Sequence, residues 1–301
     1  HQGTDYFLWP FQWNKVNNNA VSVVAASSGI IIGKSDGNYD KNCGGWNTDY
    51  STEWNAVYVQ NDDGSISWYG HMKNGSLTNK SFGDTVKVGE YLGIVASSGI
   101  STGPHLHFEI RNEKNININP LINFYKIKDT IKPIPKKIAL IPMNYNTKID
   151  GNSDIKLYDI IPGNNENEYF INDTISVLEN FGISLSIIDR VNEQPFNYGI
   201  YKIELYLDGE LKYKIKYDNH NFNEDHIVNQ ERNYYLKRIE NERYYNLYKT
   251  EQELSFVDNR SWPYYKLEPG IHNLVIKASD VNNNEVIIFG SLISEPIKPL
   301  L

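Results

Sequence analysis

The sequence contains a single cysteine, Cys43, so no disulfide can form within the chain. A chain of 301 residues can bury a sufficient hydrophobic core without covalent cross-links, so this scarcity neither requires nor excludes export. The longest apolar run, residues 21–32, is interrupted by serines and a glycine and is too short to span a bilayer. The sequence therefore predicts no transmembrane segment.

Basic residues are outnumbered by acidic ones. The sequence has 29 lysines and arginines and 37 aspartates and glutamates, which gives a net charge of −8. No basic stripe is present that would neutralise phosphates, so we predict no nucleic-acid partner. The chain begins at His1 without an initiator methionine or a signal peptide. We interpret this terminus as processed or cut, with any export signal already removed.

The most informative stretch of the sequence runs from Gly103 to Arg111 and contains His105 and His107. Alternate residues of a strand point to the same face, so both imidazoles are expected on one side, with Leu106 and Phe108 directed into a core on the other. Two imidazoles on one rigid strand face suit a metal-centred site. A strand with two ordinary surface histidines is the alternative.

Two further motifs carry the other histidines of residues 1–111. His1 and Asp5 stand four residues apart, with Gly3 between them removing a side chain where an ion must fit. A predicted hairpin, residues 55–60 and 66–71 around Asp-Asp-Gly, delivers His71 at its far end. The remaining histidines, His220, His226 and His272, have no ligand-like spacing and are predicted to lie on the surface.

Taken in order, these motifs resemble those of the lysostaphin/LytM-type zinc metallopeptidases over residues 1–122: His1-x-Gly3-x-Asp5, Tyr69-x-His71-Met72, and Gly103-Pro104-His105-Leu106-His107-Phe108-Glu109. The resemblance implies an antiparallel β-sheet peptidase domain and one Zn²⁺ per chain held by His1, Asp5 and His107. Such a set leaves one tetrahedral position open for water, as catalytic zinc sites require. It also implies that His105 is the general base and that His71 binds the oxyanion or protonates the leaving amine.

The substrate that the resemblance implies is a peptide cross-link of bacterial peptidoglycan, with the peptide stems as binding partner. This chain departs from the family pattern in lacking strands before His1, in a long insertion at residues 34–54, and in Met72 where leucine is usual. We therefore expect a peptidase domain truncated at its N-terminus, exported to the periplasm or cell envelope of a bacterium. Either a D-alanine–diamino acid bond, suited to a Gram-negative envelope, or a glycine bridge is compatible with the sequence.

The insertion contains a polar stretch in which Asp36, Asn38, Asp40 and Asn42 alternate. This alternation is similar to that of a calcium loop, and Ca²⁺ at residues 36–42 is one interpretation. However, Lys41 stands where such a loop needs glycine, and Asn47 stands where an acidic residue should close it. A solvated loop at the rim of the site is the alternative, and Cys43 has no partner that would make it a zinc ligand.

The rest of the chain follows a linker predicted at residues 126–136, after a peptidase domain at residues 1–125. Residues 203–207 and 211–217 alternate around Asp208-Gly209, which predicts a hairpin, and residues 272–280 are expected to pair with 285–289. We predict an all-β chain in which residues 137–301 form an immunoglobulin-like β-sandwich. It would position the enzyme or bind an envelope protein partner. Residues 226–250 are compatible with a helix or a long excursion.

Three other functions are compatible with parts of the sequence. A cupin-type metal site fits Gly99 and the His105-x-His107 pair, but Arg111 and Asn112 stand where its glutamate is needed. A copper site at the amine and imidazole of His1 leaves Asp5 without a role. A catalytically silent envelope module would keep a metal for structure alone.

Overall fold

A computed structural model of the protein describes residues 3–44, 52–123 and 126–294. The chain divides into two compact units: residues up to 125 together with Asn219–Phe222, and the rest of the chain from residue 126. No helix among the described residues is long and apolar enough to cross a membrane.

The first unit is built on an antiparallel sheet with the strand order β17-β9-β8-β5-β4-β3-β6, in which β1 also pairs with β8. A separate ladder joins β2 and β7. The elements of the first unit are β1 (Thr4–Phe7), α1 (Gln12–Asn17), β2 (Ser22–Val24), β3 (Gly29–Ser35), β4 (Ala56–Asn61), β5 (Ile66–Gly70), β6 (Thr85–Val86), β7 (Tyr91–Ile94), β8 (His105–Arg111), β9 (Asn117–Ile118), α2 (Pro120–Asn123) and β17 (Asn219–His220).

The core of this unit lies against one face of the sheet. Val57, Val59, Tyr69, Phe108 and Ile110 alternate along neighbouring strands and are almost completely buried. Burying each such side chain contributes roughly 1.5–3 kcal/mol relative to exposure. This packing fixes which face of β8 remains for chemistry, because its alternate residues must point the other way.

The predicted hairpin of residues 55–71 is confirmed, since β4 and β5 pair antiparallel across the turn at Asp62–Gly64. Strands β2 and β3 follow each other closely along the chain. They do not pair with each other: β2 pairs with β7, and β3 lies between β4 and β6. At the short turn between β2 and β3 the chain therefore passes from one ladder to another and does not form a hairpin.

The second unit is a mixed sheet with the order β16-β15-β19-β20-β13-β12-β10-β14-β18, with β11 paired to β13. Only the β13–β20 pair is parallel among the described ladders of this unit. The strands are β10 (Ile134–Pro142), β11 (Lys148–Ile149), β12 (Lys156–Pro162), β13 (Glu168–Leu178), β14 (Phe181–Ile188), β15 (Lys202–Leu207), β16 (Glu210–Lys216), β18 (Tyr244–Asn246), β19 (Gly270–Ser279) and β20 (Glu285–Ser294).

In this sheet β12 pairs through its first half with β10 and through its second half with β13. The described part of the chain is thus almost entirely β, as predicted, while an immunoglobulin-like topology for residues 137–301 stays a prediction. Strand β10 begins at Ile134, inside the range predicted as linker. The predicted β15–β16 and β19–β20 hairpins are confirmed.

The segment at residues 226–250 contains a 3₁₀ turn (Val228–Glu231), α3 (Tyr234–Glu240) and β18. Another 3₁₀ turn spans Phe222–Glu224. Asn233 caps α3, because its side chain accepts a hydrogen bond from the Leu236 amide. The alternatives left open for this segment are therefore both partly realised.

Candidate active site

The pairing of β1 with β8 brings two predicted site residues together. Asp5 lies directly opposite His107, and Phe7 lies opposite His105. A Cβ added at Gly3 would lie 2.5 Å from the carbonyl oxygen of Phe108 and 2.9 Å from Cε1 of His107. Glycine at this position therefore permits the close approach of β1 that carries Asp5 to the histidine face.

His71 approaches the same face from the end of β5, in a left-handed conformation with φ 60°. Its ring centroid lies 4.6 Å from that of His105 and 5.7 Å from that of His107. All three imidazoles are buried, and each offers a ring nitrogen within 4.8 Å of the others. The structure thus gathers Asp5, His71, His105 and His107, and confirms that His105 and His107 share a face opposite Phe108.

The three histidines differ in which ring nitrogen faces the site. Nδ1 of His71 lies 2.5 Å from the carbonyl oxygen of Ser98, and Nδ1 of His105 lies 2.7 Å from that of Gly103. A carbonyl oxygen only accepts hydrogen bonds, so Nδ1 carries the proton in both rings. Each of these two rings therefore presents Nε2 to the site.

His107 has the opposite orientation. Its Nε2 donates to Glu109 Oε1 at 2.7 Å, and its Nδ1 lies 2.9 Å from Asp5 Oδ1. Glu109 is itself buried and held by Arg111, whose Nε donates to Oε2 at 2.7 Å. Arg111 in turn stacks over the Trp68 ring, with Cζ 3.5 Å from the centroid. This series of side-chain contacts, which begins at Trp68 and ends at His107, fixes the orientation of the imidazole that faces Asp5.

These contacts set the protonation states of two histidines in opposite directions. Burial and the neighbouring His105 lower the pKa of His71 to about 3, so this ring is neutral at pH 7. Burial also lowers the pKa of His107, but hydrogen bonds with Asp5 and Glu109 outweigh it and raise the pKa to about 9. Without a metal, His107 is therefore a cation between two carboxylates.

The donor atoms on this face could hold a metal ion. Asp5 Oδ1 lies 2.9 Å from His107 Nδ1 and 3.6 Å from His105 Nε2, so one oxygen and two nitrogens converge. Zinc binds nitrogen and oxygen ligands of this kind, and a metal-bound histidine characteristically donates its other nitrogen to a carboxylate, as His107 does to Glu109. His1, the remaining predicted ligand, lies outside the described residues.

Several residues of the site had no assigned role in the sequence. Glu109 and Arg111 continue the two-residue alternation of His105 and His107, so the signal for them was available. Trp54 gave no such signal: it comes from the end of the long insertion, and its ring centroid lies 5.1 Å from that of His71. Phe7 stacks on His105 with centroids 5.0 Å apart. Both aromatic side chains line the histidine face.

The calcium interpretation of residues 36–42 finds no support. Asp36 Oδ1 accepts hydrogen bonds from the amides of Gly37 and Gly75, Asp40 Oδ2 accepts from Asn74, and the amide group of Asn42 donates to Gly99. The alternating polar side chains anchor the loop to separate neighbours. Among the described residues, the groupings able to hold a cation do not include this loop.

Comparison with known proteins places part of this chain in a family. Residues 12–120 match the model of peptidase family M23. Lysostaphin from Staphylococcus staphylolyticus is 35% identical over 109 residues, which are 36% of this chain and 18% of that protein. Glycyl-glycine endopeptidase ALE-1 from Staphylococcus capitis is also 35% identical over 109 residues, 36% of this chain and 24% of that protein.

Among solved structures, the catalytic domain of the antimicrobial peptidase lysostaphin from Staphylococcus simulans has 28% sequence identity and a TM-score of 0.28. The alignment covers 40% of this chain and 76% of that domain. The chain spans less than a quarter of the length of the two curated relatives above. The segment of residues 12–120 therefore matches peptidase family M23 and is similar to the lysostaphin-type relatives named above.

Proposed function

We propose that this protein is a zinc-dependent endopeptidase that hydrolyses peptide cross-links of bacterial peptidoglycan. The observation that carries the proposal is the convergence of Asp5, His105 and His107 on one face, two of them, His105 and His107, within the segment that matches a peptidase family. In this proposal His1, Asp5 and His107 hold the metal, and His71 and His105 act on the substrate.

When bound, zinc would lower the pKa of a water molecule to about 7 and polarise the scissile carbonyl. Asp5 supplies the carboxylate ligand, and His107 supplies Nδ1, because Glu109 already accepts the proton of its Nε2. Glu109 and Arg111 orient the His107 ring and act as positioning residues. Strand β1 carries Asp5 and β8 carries His107, so the pairing of these strands sets the distance between the two proposed ligands.

His105 is suited to take a proton from the attacking water. Its Nδ1 proton is bound to the Gly103 carbonyl, so the lone pair at Nε2 faces the site. A positioned general base of this kind contributes about 10²- to 10⁴-fold to the rate. Stacking on Phe7 holds the plane of the ring.

His71 is proposed to bind the oxyanion or to protonate the leaving amine. Its neutral ring presents Nε2 without a proton, since the Ser98 carbonyl fixes the proton at Nδ1. His71 can donate only after it takes up a proton at Nε2, and the proton that His105 removes from the water is available for this, since the two ring centroids lie 4.6 Å apart. Negative charge that develops on the substrate raises the pKa of His71 and favours this transfer. A donor that is charged only when the substrate is charged stabilises the transition state more than the ground state.

The substrate class is supported by the names of relatives, one of which is a glycyl-glycine endopeptidase, and by the site itself. Trp9 and Phe11 are 67% and 79% exposed beyond the end of β1. Phe7, two residues before Trp9, stacks on His105, so these exposed rings follow the site along the chain and offer aromatic surface to a polymeric substrate. We place the protein at the cell envelope and assign the second unit to positioning the enzyme or binding an envelope protein. The cross-link is either a D-alanine–diamino acid bond or a glycine bridge.

The test combines zinc content with peptide release from purified cell-wall sacculi, for the parent chain and for Asp5→Ala. About one zinc per chain and peptide release in the parent, with both lost in Asp5→Ala, support the proposal. Thr4→Ala, on the neighbouring residue of β1, is the matched control and should retain both. The sacculi should include both kinds of cross-link, the D-alanine–diamino acid bond and the glycine bridge. Zinc without peptide release from either kind would favour the silent envelope module. Tight copper at His1 without zinc would overturn the metal assignment.

A further inference from the structure

A second group of carboxylates lies in the second unit and has no part in the site described above. Asp189 follows the last residue of β14, Asp280 follows the last residue of β19, and Asp129 belongs to the segment that precedes β10. Each offers a carboxylate oxygen within 4.8 Å of the other two. Residues from three distant parts of the sequence therefore meet at one end of the sheet.

The carboxylate of Asp189 is buried, and one of its two oxygens is unsatisfied. Asp189 is only 4% exposed, and its Oδ1 has no hydrogen-bond partner among the described residues. Leaving a buried acceptor unpaired costs about 1–3 kcal/mol, and more when the group is charged. No lysine or arginine in the described part of the chain forms an ion pair with Asp129, Asp189 or Asp280. No positively charged side chain in the described part of the chain therefore compensates the charge of the three clustered acids.

The neighbouring turn holds the other two acids in place. Asp280 Oδ1 accepts hydrogen bonds from the amides of Asn282 and Asn284 at 2.8 and 2.9 Å. The side-chain amide of Asn282 donates to the carbonyl of Ile127 at 2.7 Å, and that of Asn284 donates to the carbonyl of Asp129 at 3.2 Å. These bonds tie the segment around Asp129 to the β19–β20 turn. The cluster is therefore formed by the fold and is not a chance meeting of exposed side chains.

The electrostatic consequence is visible at Asp189. Burial, followed by the nearby Asp280 carboxylate and to a smaller extent by Asp129, raises its pKa to about 7, against a hydrogen bond from the Arg190 amide that lowers it. Burial also raises the pKa of Asp280, against the hydrogen bonds from Asn282 and Asn284 that lower it. A bound cation would remove this repulsion.

We propose that Asp129, Asp189 and Asp280 bind one Ca²⁺ ion. The donors are all oxygens, which hard cations prefer, and imidazole or thiolate is absent from the three. Calcium lies about 2.3–2.6 Å from its ligands, so two ligands of one ion are at most roughly 4.6–5.2 Å apart, which the 4.8 Å limit of this cluster satisfies. The unpaired Oδ1 of Asp189 gains a partner in this arrangement. This site is independent of the proposed peptidase activity.

The structural role of the ion follows from the ligands. Asp129 comes from the segment before the first strand of the unit, and the other two come from strand ends within it. An ion bound to all three stabilises the folded state by mass action, because the unfolded chain does not gather them. The ion would hold residues around Asp129 against the ends of β14 and β19.

The experiment uses the full chain, freed of divalent cations and titrated with CaCl₂ by calorimetry, with thermal unfolding followed in parallel. We expect one saturable site per chain with a Kd between about 10⁻⁶ and 10⁻³ M, and a rise in the unfolding temperature with calcium. Asp189→Asn should abolish both. Its unfolding temperature without calcium should equal or exceed that of the parent, since the substitution removes repulsion but keeps the shape of the side chain.

Two further variants make the result specific. Asp129→Asn, at a less buried ligand, should weaken calcium binding at least tenfold, whereas Asp154→Asn, at an exposed position of the same unit, should leave it unchanged. The absence of a saturable calcium signal in the parent would overturn the proposal. So would full calcium binding in both Asp189→Asn and Asp129→Asn, which would place the ion elsewhere.

Discussion

Glu109 Oε1 lies 2.7 Å from Nε2 of His107, on the side of the ring opposite the nitrogen that faces Asp5. This hydrogen bond fixes the proton of the imidazole at Nε2, so that Nδ1 is the nitrogen available to a metal. Glu109 is buried and held by Arg111, which makes the orientation rigid. The proposed ligand, His107, and the residue that orients it, Glu109, are thus neighbouring positions on the same strand face.

Removal of the Glu109 charge should therefore weaken the metal site without removing a ligand. For Glu109→Gln we expect zinc affinity to fall about 10- to 100-fold, the usual effect of losing a carboxylate that orients a histidine ligand. Competition with a chromophoric chelator measures this change. Glu113→Gln, on an exposed residue of the following turn, is the control. Equal zinc affinity in Glu109→Gln and the parent would contradict the orienting role.

His105→Ala separates the two ways in which the histidines can act. If His105 is the general base, the variant keeps about one zinc per chain while peptide release falls at least about 100-fold. If instead His71, His105 and His107 together hold the metal, the same variant loses zinc along with activity. Zinc content and peptide release from sacculi, measured on the same preparation, distinguish the two.

Gly3→Ala tests the close approach of β1 to β8. The new methyl group would lie 2.5 Å from the Phe108 carbonyl, a backbone atom that cannot move aside cheaply. We expect a loss of about 1–3 kcal/mol in the free energy of unfolding, as for overpacking elsewhere, together with weaker zinc binding because Asp5 shifts. Chemical denaturation and zinc titration measure the two effects. Thr4→Ala adds no atoms, and a Gly3→Ala protein that matched it in both measurements would contradict the prediction.

His272 provides a pH-dependent contact in the second unit. Its Nδ1 lies 2.6 Å from Asp208 Oδ2, and this bond raises the pKa of His272 while lowering that of Asp208. The stabilisation from His272 is present below its unfolded pKa of about 6.5 and is lost as the pH rises through the higher folded value. The stabilisation from Asp208 is present above about 3.9 and is lost as the pH falls through its lower folded value.

NMR titration of the His272 ring should give a pKa above 6.5 in the parent and a lower value in Asp208→Asn. Asparagine tolerates the left-handed conformation of this turn position, where φ is 51°, so the hairpin should persist. Glu210→Gln, an exposed acid in the same hairpin, is the control and should change the pKa far less. An unchanged pKa in Asp208→Asn would show that the contact does not form in solution.

Much of the fold was predictable because local chemistry determined it. The Asp208-Gly209 pair adopts positive φ at both residues, as a two-residue hairpin turn requires, and the strands on either side follow. The β4–β5 hairpin was predictable for the same reason. Pairing between strands that are distant in sequence was not predictable. The membership of β2 and β3 in different ladders is an example, because local patterns do not show which strand each one pairs with. The pairing of β12 with both β10 and β13 is equally invisible in local patterns.

The sequence by itself determined that His105, His107 and Glu109 share one face of a strand, because side-chain alternation is a local property of extended chain. It also carried the motifs that resemble lysostaphin/LytM-type peptidases. Only the tertiary structure decided which ring nitrogen of each histidine faces the site, since the carbonyls of Ser98 and Gly103 and the carboxylate of Glu109 make that choice. The same holds for Asp129, Asp189 and Asp280: no spacing in the sequence predicts their meeting, because burial and strand packing bring distant carboxylates together.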